Sequence, residues 1–343
     1  MTVTDQKSEA PQPTAKRDDR SLFDSVWSRI RAFEAIGPLV SLIILVVLLS
    51  FLSPYFLEVN NLFNVFQQIT VLAIIALGAT MVIISGGIDL SVGSVAALSG
   101  MIAGVSFGQW NLPMGVALAL SIVVGAVAGL ANGALIVYGK VPPFVATLAM
   151  LSVARGLTLV ISNGQPVSGF PDWFREIGTF DLFGVVPAVV IVVVLLFAAG
   201  WFYMRYRPEG RDIYAVGGSE EVARLSGVNV GRLKLRVYAM AGTLAAVGGV
   251  VLTSRLNSAQ PTAGSGLELD VIAAVVIGGA SLSGGVGTAI GTLIGALIIG
   301  VLRNGLNLLD VSSFWQQVVI GLVIAAAVMV DTLGRRNRRR SGD

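Results

Sequence analysis

The stretch VLAIIALGATMVIISGGIDLSVGSVAALSGMIAGV, residues 71–105, decides the fold. Two apolar runs meet at GGIDLSVG (86–93), and Asp89 is the only charged side chain in the whole stretch. An apolar run of roughly 20 residues is long enough to span a bilayer as a helix. Backbone that faces lipid must satisfy its own hydrogen bonds, which leaves helices as the answer for single runs of this kind. The predicted fold class is all-α: a polytopic membrane helical bundle, with a glycine-marked interruption inside this segment.

Outward from that centre, similar runs occur at about 36–53, 62–85, 91–108, 113–138, 143–162, 184–204, 237–256, 268–281, 286–303 and 315–332. That gives about ten transmembrane segments, the eighth visibly short. Composition agrees: 55% of the 343 residues are hydrophobic and 13% are charged, against about 25% charged in ordinary soluble domains. The chain divides into a tail (1–35), one membrane domain (36–333) and a basic tail (334–343). Within 21–35, Leu22, Val26, Trp27, Ile30 and Phe33 recur at helical spacing beside Arg29 and Arg31, the pattern of a short interfacial helix.

Orientation follows the basic residues. Six of the 23 lie in 1–31, seven in 205–236 and five in 335–340. Placing all three segments in the cytoplasm requires even numbers of crossings between them, and six plus four satisfies this. Lys140 then lies inside. Arg175, Arg255 and Arg303 fall in or near outer loops, with Glu58, Asp172, Glu176, Asp181, Glu268, Asp270 and Asp310 on the same side.

GGIDLSVG (86–93) returns as GGASLSGG (278–285), matching Gly86 with Gly278, Gly87 with Gly279 and Ser91 with Ser283. Paired glycine-interrupted segments in two halves of a transporter point to its solute path. Small residues also simply let helices pack closely, and both readings stay open. Asp89 is either a pathway charge or a cap for the following helix. Arg155, deep in the fifth run, should face a polar cavity or a carboxylate. Asn132, Thr147 and Asn304 add neutral hydrogen-bonding groups, suited to solute hydroxyls or to fastening helices together.

Several chemistries are excluded. The chain has no Cys and no His, so the usual zinc ligands, haem ligation and Ser–His or Cys nucleophiles are missing, and no catalytic or metal-ligating residues are assigned. There is no GxxxxGK[ST] phosphate loop. Energy for active transport would have to come from another subunit. The basic residues flank membrane segments, which does not suggest nucleic acid.

In the loop 205–236, GGSEEVARLSG (217–227) has the marks of a short deliberate helix. Ser219 is an N-cap, Glu220 and Glu221 suit the positive end, Arg224 suits the other, and Gly227 supplies a stop. Val222 and Leu225 share a face. A helix this short is marginal alone, so that face calls for a partner in this chain or another protein.

Taken together, GGIDLSVG (86–93), ANG (131–133), PPFVATLAMLSVARG (142–156), GRDIYAVGGSEEVARLSGVNV (210–230), RLNSAQPTAGSGLELDVIAAVVIGGASLSGGVGT (255–288) and NGLNLL (304–309) resemble the ribose-type permeases of bacterial ATP-binding cassette importers. That family also includes branched-chain amino acid permeases, and the resemblance covers about 36–333. It implies a multi-pass protein of the bacterial inner membrane with both termini cytoplasmic. It also implies a homodimeric pore, a partner ATPase that binds ATP and Mg, and a periplasmic or lipid-anchored binding protein that delivers a monosaccharide. The segment 218–227 would be the helix that couples to the ATPase. Other small polar solutes (a nucleoside, a sugar derivative, an amino acid) and, more distantly, a secondary carrier are the alternatives.

Overall fold

The computed structural model describes residues 36–182 and 186–340, so the tail 1–35 and its expected interfacial helix lie outside the described residues. The helices are α1 (Ile36–Leu52), α2 (Val59–Ile84), α3 (Val92–Gly108), α4 (Met114–Val137), α5 (Pro143–Ser162), α6 (Asp172–Thr179) and α7 (Ala188–Tyr206). They continue with α8 (Pro208–Gly218), α9 (Glu220–Leu225), α10 (Val230–Leu256), α11 (Leu267–Ile277), α12 (Ala289–Leu308) and α13 (Ser313–Arg340). Two two-residue ladders, β1 (Val167–Ser168) with β4 (Ser258–Ala259) and β2 (Asp181–Leu182) with β3 (Val186–Pro187), are the strand structure among the described residues. The all-α bundle is confirmed.

Each of the ten apolar runs becomes a helix, but they are not ten equal spans. Six helices (α2, α4, α5, α7, α10 and α12) are long and apolar enough to cross a membrane, while α1, α3 and the apolar part of α13 are shorter. The eighth run becomes α11, with 11 residues, or about 16 Å at 1.5 Å per residue. That is roughly half the hydrocarbon thickness.

Position in the bundle follows from side-chain size as much as from hydropathy. In α2 the most apolar window is 89% buried, whereas in α5 and α7 the figure is 22%. Helix α2 is therefore the core and α5 and α7 face outward, although all three read alike as apolar runs. Helix α10 packs on α2, α3 and α4. Gly125 and Gly129 of α4 abut Gly242 and Tyr238 of α10, and Gly249 of α10 lies against Ala96 of α3. Lipid supplies no hydrophobic drive for helix association, so close backbone approach through small residues provides the packing energy. Polar pins add to it. Asn61 and Asn304 exchange reciprocal amide bonds of 3.0 and 2.7 Å, and Thr80 and Thr292 lie 2.7 Å apart. These pins fasten α2 antiparallel to α12 near both ends.

Two regions hold more structure than the sequence suggested. The 205–236 loop is largely helical: α8 opens with Pro208 in its first turn, and α10 begins at Val230, well before the apolar run. Arg205, Arg207 and Lys140 share this basic end of the bundle with α8 and α9. At the opposite, acidic end, α6 lies on α10 through Phe174 and Gly178, with Ser254 Oγ accepting the Gly178 N–H at 2.9 Å.

One placement needs correction. Arg255 and Glu268 lie in the terminal turns of α10 and α11, next to the segment that joins them, whereas Asp270 and Arg303 lie farther inside the helices than a position in or near a loop implies. Asp270 is buried and ion-paired to Arg303 of α12. A charge neutralised inside the bundle, as Asp270 is by Arg303, does not end a helix.

Candidate functional site

The two glycine-marked interruptions end their helices by the same device. After α2, Gly86 takes a φ of 82°, its N–H donates to Ile83 O at 2.9 Å, and the Gly87 N–H donates to Val82 O at 3.0 Å. After α11, Gly279 takes a φ of 94°, its N–H donates to Val276 O at 2.9 Å, and the Ala280 N–H donates to Val275 O at 3.1 Å. Each is a Schellman stop, in which a left-handed residue lets two amides bond back into the helix. The matching left-handed residues are Gly86 and Gly279, one step away from the sequence alignment that paired Gly86 with Gly278.

Beyond the stops the segments differ. In the first (85–91), the Asp89 carboxylate accepts the Ser91 N–H at 2.8 Å and the Ser91 hydroxyl at 2.6 Å. Asn132 Nδ2 donates to Ser91 Oγ at 2.9 Å, and Thr147 Oγ1 donates to Ile88 O at 3.2 Å. Asp89, Ser91, Asn132 and Thr147 are all buried. The N-cap of α3 is Ser91 rather than Asp89; Asp89 closes a turn onto it. The Tyr238 ring seals this cluster against Gly87, and its hydroxyl and Asn132 Oδ1 have no hydrogen-bond partner among the described residues. Helix α4 runs on from Asn132 to Val137, and α10 starts at Val230, below Tyr238. The cluster therefore sits about 8–12 Å inside the basic end.

The second interruption (278–288) is longer and glycine-rich, with Gly284, Gly285 and Gly287 at positive φ. Ser283, the sequence partner of Ser91, is exposed. The N-cap position that Ser91 holds before α3 is held before α12 by Thr288, whose extended backbone differs from that of Ser91 and whose hydroxyl accepts the Gly291 N–H at 3.0 Å.

The two interruptions touch: the Gly285 N–H donates to Ile84 O at 2.8 Å. Gly217, near the end of α8, lies against both Ile84 O and Gly285 N, so closely that a Cβ there would collide with each. Tyr214 of α8 adds a 2.9 Å bond from its hydroxyl to Gly287 O. Helix α8 thus wedges onto the junction of both halves, a role for Gly217 and Tyr214 that sequence reasoning missed. A glycine pair just before a predicted N-cap was the available signal.

Helix α9 follows at once. Ser219 Oγ accepts the Val222 N–H at 3.4 Å, and Gly227 (φ 89°) ends the helix with a Val228 N–H to Ala223 O bond of 3.0 Å. Ala223 is buried, whereas Val222 and Leu225 are 61% and 83% exposed. Their apolar face has no partner within the described residues of this chain. Glu220 bonds Lys234 at 2.6 Å and Arg224 at 3.2 Å, and the Lys234 ammonium holds its carboxyl below the usual glutamate range. Glu221 is exposed.

Arg155 forms no direct ion pair among the described residues, although the Glu268 carboxylate lies close enough to act on it. The Arg155 guanidinium donates to Pro261 O and Ala263 O, both at 2.9 Å, tying α5 to the segment between α10 and α11. A cavity of about 260 Å³ opens beside that segment, lined by Gln68, Arg255, Ser265, Asp270 and Arg303. Ser265, Asp270 and Arg303 also border a neighbouring depression with Gln316 and Gln317. These donors and acceptors, brought together from α2, α10, α11 and α12, suit a hydroxyl-rich solute. Asn304 lies in the amide pair with Asn61, away from this cavity.

The family described as "Branched-chain amino acid transport system / permease component" matches residues 61–328, a region that takes in both interruptions and the α8–α9 unit. The chain belongs to that family. The permease is 48% identical to the ribose import permease protein RbsC of Escherichia coli strain K12, covering 85% of this chain and 92% of the relative. It is equally 48% identical to RbsC of Bacillus subtilis strain 168, with coverages of 90% and 94%. The D-allose transport system permease protein AlsC of Escherichia coli strain K12 is 39% identical, over 88% of this chain and 92% of the relative. No solved structure matches the permease.

Proposed function

We propose that this permease is the membrane subunit of an ATP-driven importer of monosaccharides, with ribose the first sugar to test. The similarity to ribose and allose permeases across almost their whole length supports the substrate class. The observation that carries the mechanism is the wedge of α8 on the junction of the two interruptions, with α9 and its exposed Val222–Leu225 face directly behind it.

In this reading, two copies of the chain form the pore and both termini lie in the cytoplasm. The α9 helices dock into a partner ATPase, where ATP and Mg bind, and a binding protein delivers the sugar at the acidic end. Val222 and Leu225 fill an apolar cleft while Glu221 and Arg224 contact its rim. Closure of the ATPase pair moves α9 and, through Gly217, shifts the interruptions against each other. The buried Asp89–Ser91–Asn132–Thr147 cluster keeps the first interruption stiff. Ser283 and the Arg255–Asp270–Arg303 cavity offer polar groups to the passing solute.

Reconstituted complexes carrying Leu225→Asp test the coupling. The variant should insert and dimerise, while ribose uptake and substrate-stimulated ATP hydrolysis fall to background. Wild-type uptake by this variant would end the coupling assignment. Competition of ribose uptake by xylose, allose and isoleucine would order the substrates, and strong inhibition by isoleucine alone would favour the amino acid reading.

A further inference from the structure

A cavity of about 700 Å³ lies at the basic end, between the exit of α4, the start of α10 and the side of α9. Lys140, Arg224 and Lys234 line it, and Glu220 is the one acidic side chain in its wall. Glu220 is already shared between Lys234 and Arg224. Lys140 has no ion-pair partner among the described residues, and its backbone is held at a φ of 53°, just after the end of α4. The first turn of α10 completes the wall. Helix starts present amide groups that lack intrahelical partners, and Asn229 Oδ1 satisfies one of them, that of Arg232. Three cations against one carboxylate leave this wall short of negative charge.

We propose that the cavity binds a phosphate oxyanion, supplied by the headgroup of an anionic phospholipid. A phosphodiester between Lys140 and Lys234 would meet two ammonium donors and the positive end of α10 at once. Location favours the lipid over a soluble anion. The cavity opens beside the ends of α4 and α10, two helices long and apolar enough to cross a membrane, and Tyr138 beside it is 73% exposed, as interfacial aromatics are. Basic pockets between helices at this level are recurrent headgroup sites. The site also touches α9. A headgroup competes with Glu220 for Lys234, so its occupancy sets how firmly α9 is tied to α10, whatever α9 contacts on its other face.

The test uses the purified full-length permease. Retention of phosphatidylglycerol and of phosphatidylcholine is measured by native mass spectrometry, and stabilisation by inorganic phosphate by thermal unfolding in neutral detergent. Wild type should retain phosphatidylglycerol selectively. The double variant Lys140→Gln with Lys234→Gln should weaken that retention by roughly an order of magnitude or more, and Lys140→Gln alone by about five-fold. Lys140→Gln breaks no ion pair of the protein, so its effect is separable from folding. Lys140→Arg should restore retention. Arg207→Gln, a cation of the same end outside the cavity, should leave it unchanged. Stabilisation by inorganic phosphate that is lost in the double variant, without lipid retention, would assign the same oxyanion site to a soluble source. The proposal is overturned if neither ligand is bound selectively, or if Arg207→Gln lowers retention as much as Lys140→Gln does.

Discussion

Residues 85–91 and 278–288 begin as near copies and finish as different machines. Both follow an apolar helix that ends on a left-handed glycine with two back-bonded amides. The first then folds its polar groups inward, with Asp89 on Ser91, Asn132 on Ser91 and Thr147 on the backbone. The second carries three more glycines at positive φ, leaves Ser283 exposed, and is braced from outside by Tyr214. Low dielectric inside the bundle strengthens the bonds that Asp89, Ser91, Asn132 and Thr147 make, which tie the first interruption to α4 and α5. The second is held by fewer side-chain bonds, the Ser283 N–H to the buried Ser281 hydroxyl at 3.1 Å and Tyr214 to Gly287 O, so more of its shape depends on what leans on it. Such an asymmetry fits the proposed coupling, in which the first interruption holds its shape and the second yields to α8.

The largest effect should come from the contact shared by both. Gly217→Val places bulk against Ile84 O and Gly285 N, which are backbone and cannot step aside. Overpacking of this kind costs about 1–3 kcal/mol or more. We expect thermal unfolding to shift clearly downward and uptake to be lost. Normal uptake by this variant would show that the two interruptions move independently of α8.

A smaller effect separates the paired serines. Ser91→Ala removes a donor to Asp89 and the acceptor for Asn132 in a buried site, where an unmet polar group costs about 1–3 kcal/mol. Ser283→Ala changes an exposed side chain, and its effect on stability should stay within about 0.5 kcal/mol. Thermal unfolding of both variants under identical conditions checks the contrast. Equal losses would mean that the two interruptions are alike after all.

The smallest effect is the pH dependence of the α9 tether. Because Lys234 depresses the Glu220 carboxyl, the stabilisation is fully present above the ordinary glutamate value. It fades as pH falls through the lower folded-state value. Glu220 is 42% exposed, so solvent screening keeps the contribution small. Hydrogen exchange of 219–227 should be flat from about pH 6 to pH 8, after correction for intrinsic rates, with α9 loosening only below about pH 4. Glu220→Gln should abolish that acid-side change.

The membrane class, the ten helical runs, the capped α9 helix and the two helix stops were all legible in the chain. Each rests on local physics. A run of apolar residues must satisfy its own backbone in lipid, and Ser219 and Gly227 act on amides only a few residues away. Tertiary structure alone decided the rest. It buried Ser91 and exposed Ser283, although the eight-residue windows around them share five residues. It joined Arg303 and Asp270, which the chain placed in or near the outer side without naming a partner for either, into an ion pair between α11 and α12. It brought Gly217 onto residues 84 and 285. A glycine records that something comes close, but its lack of a side chain cannot say what. A charge records a need for a partner without naming it. The partners are set by which helices pack together, and in this bundle that choice is made by contacts between residues far apart in the chain.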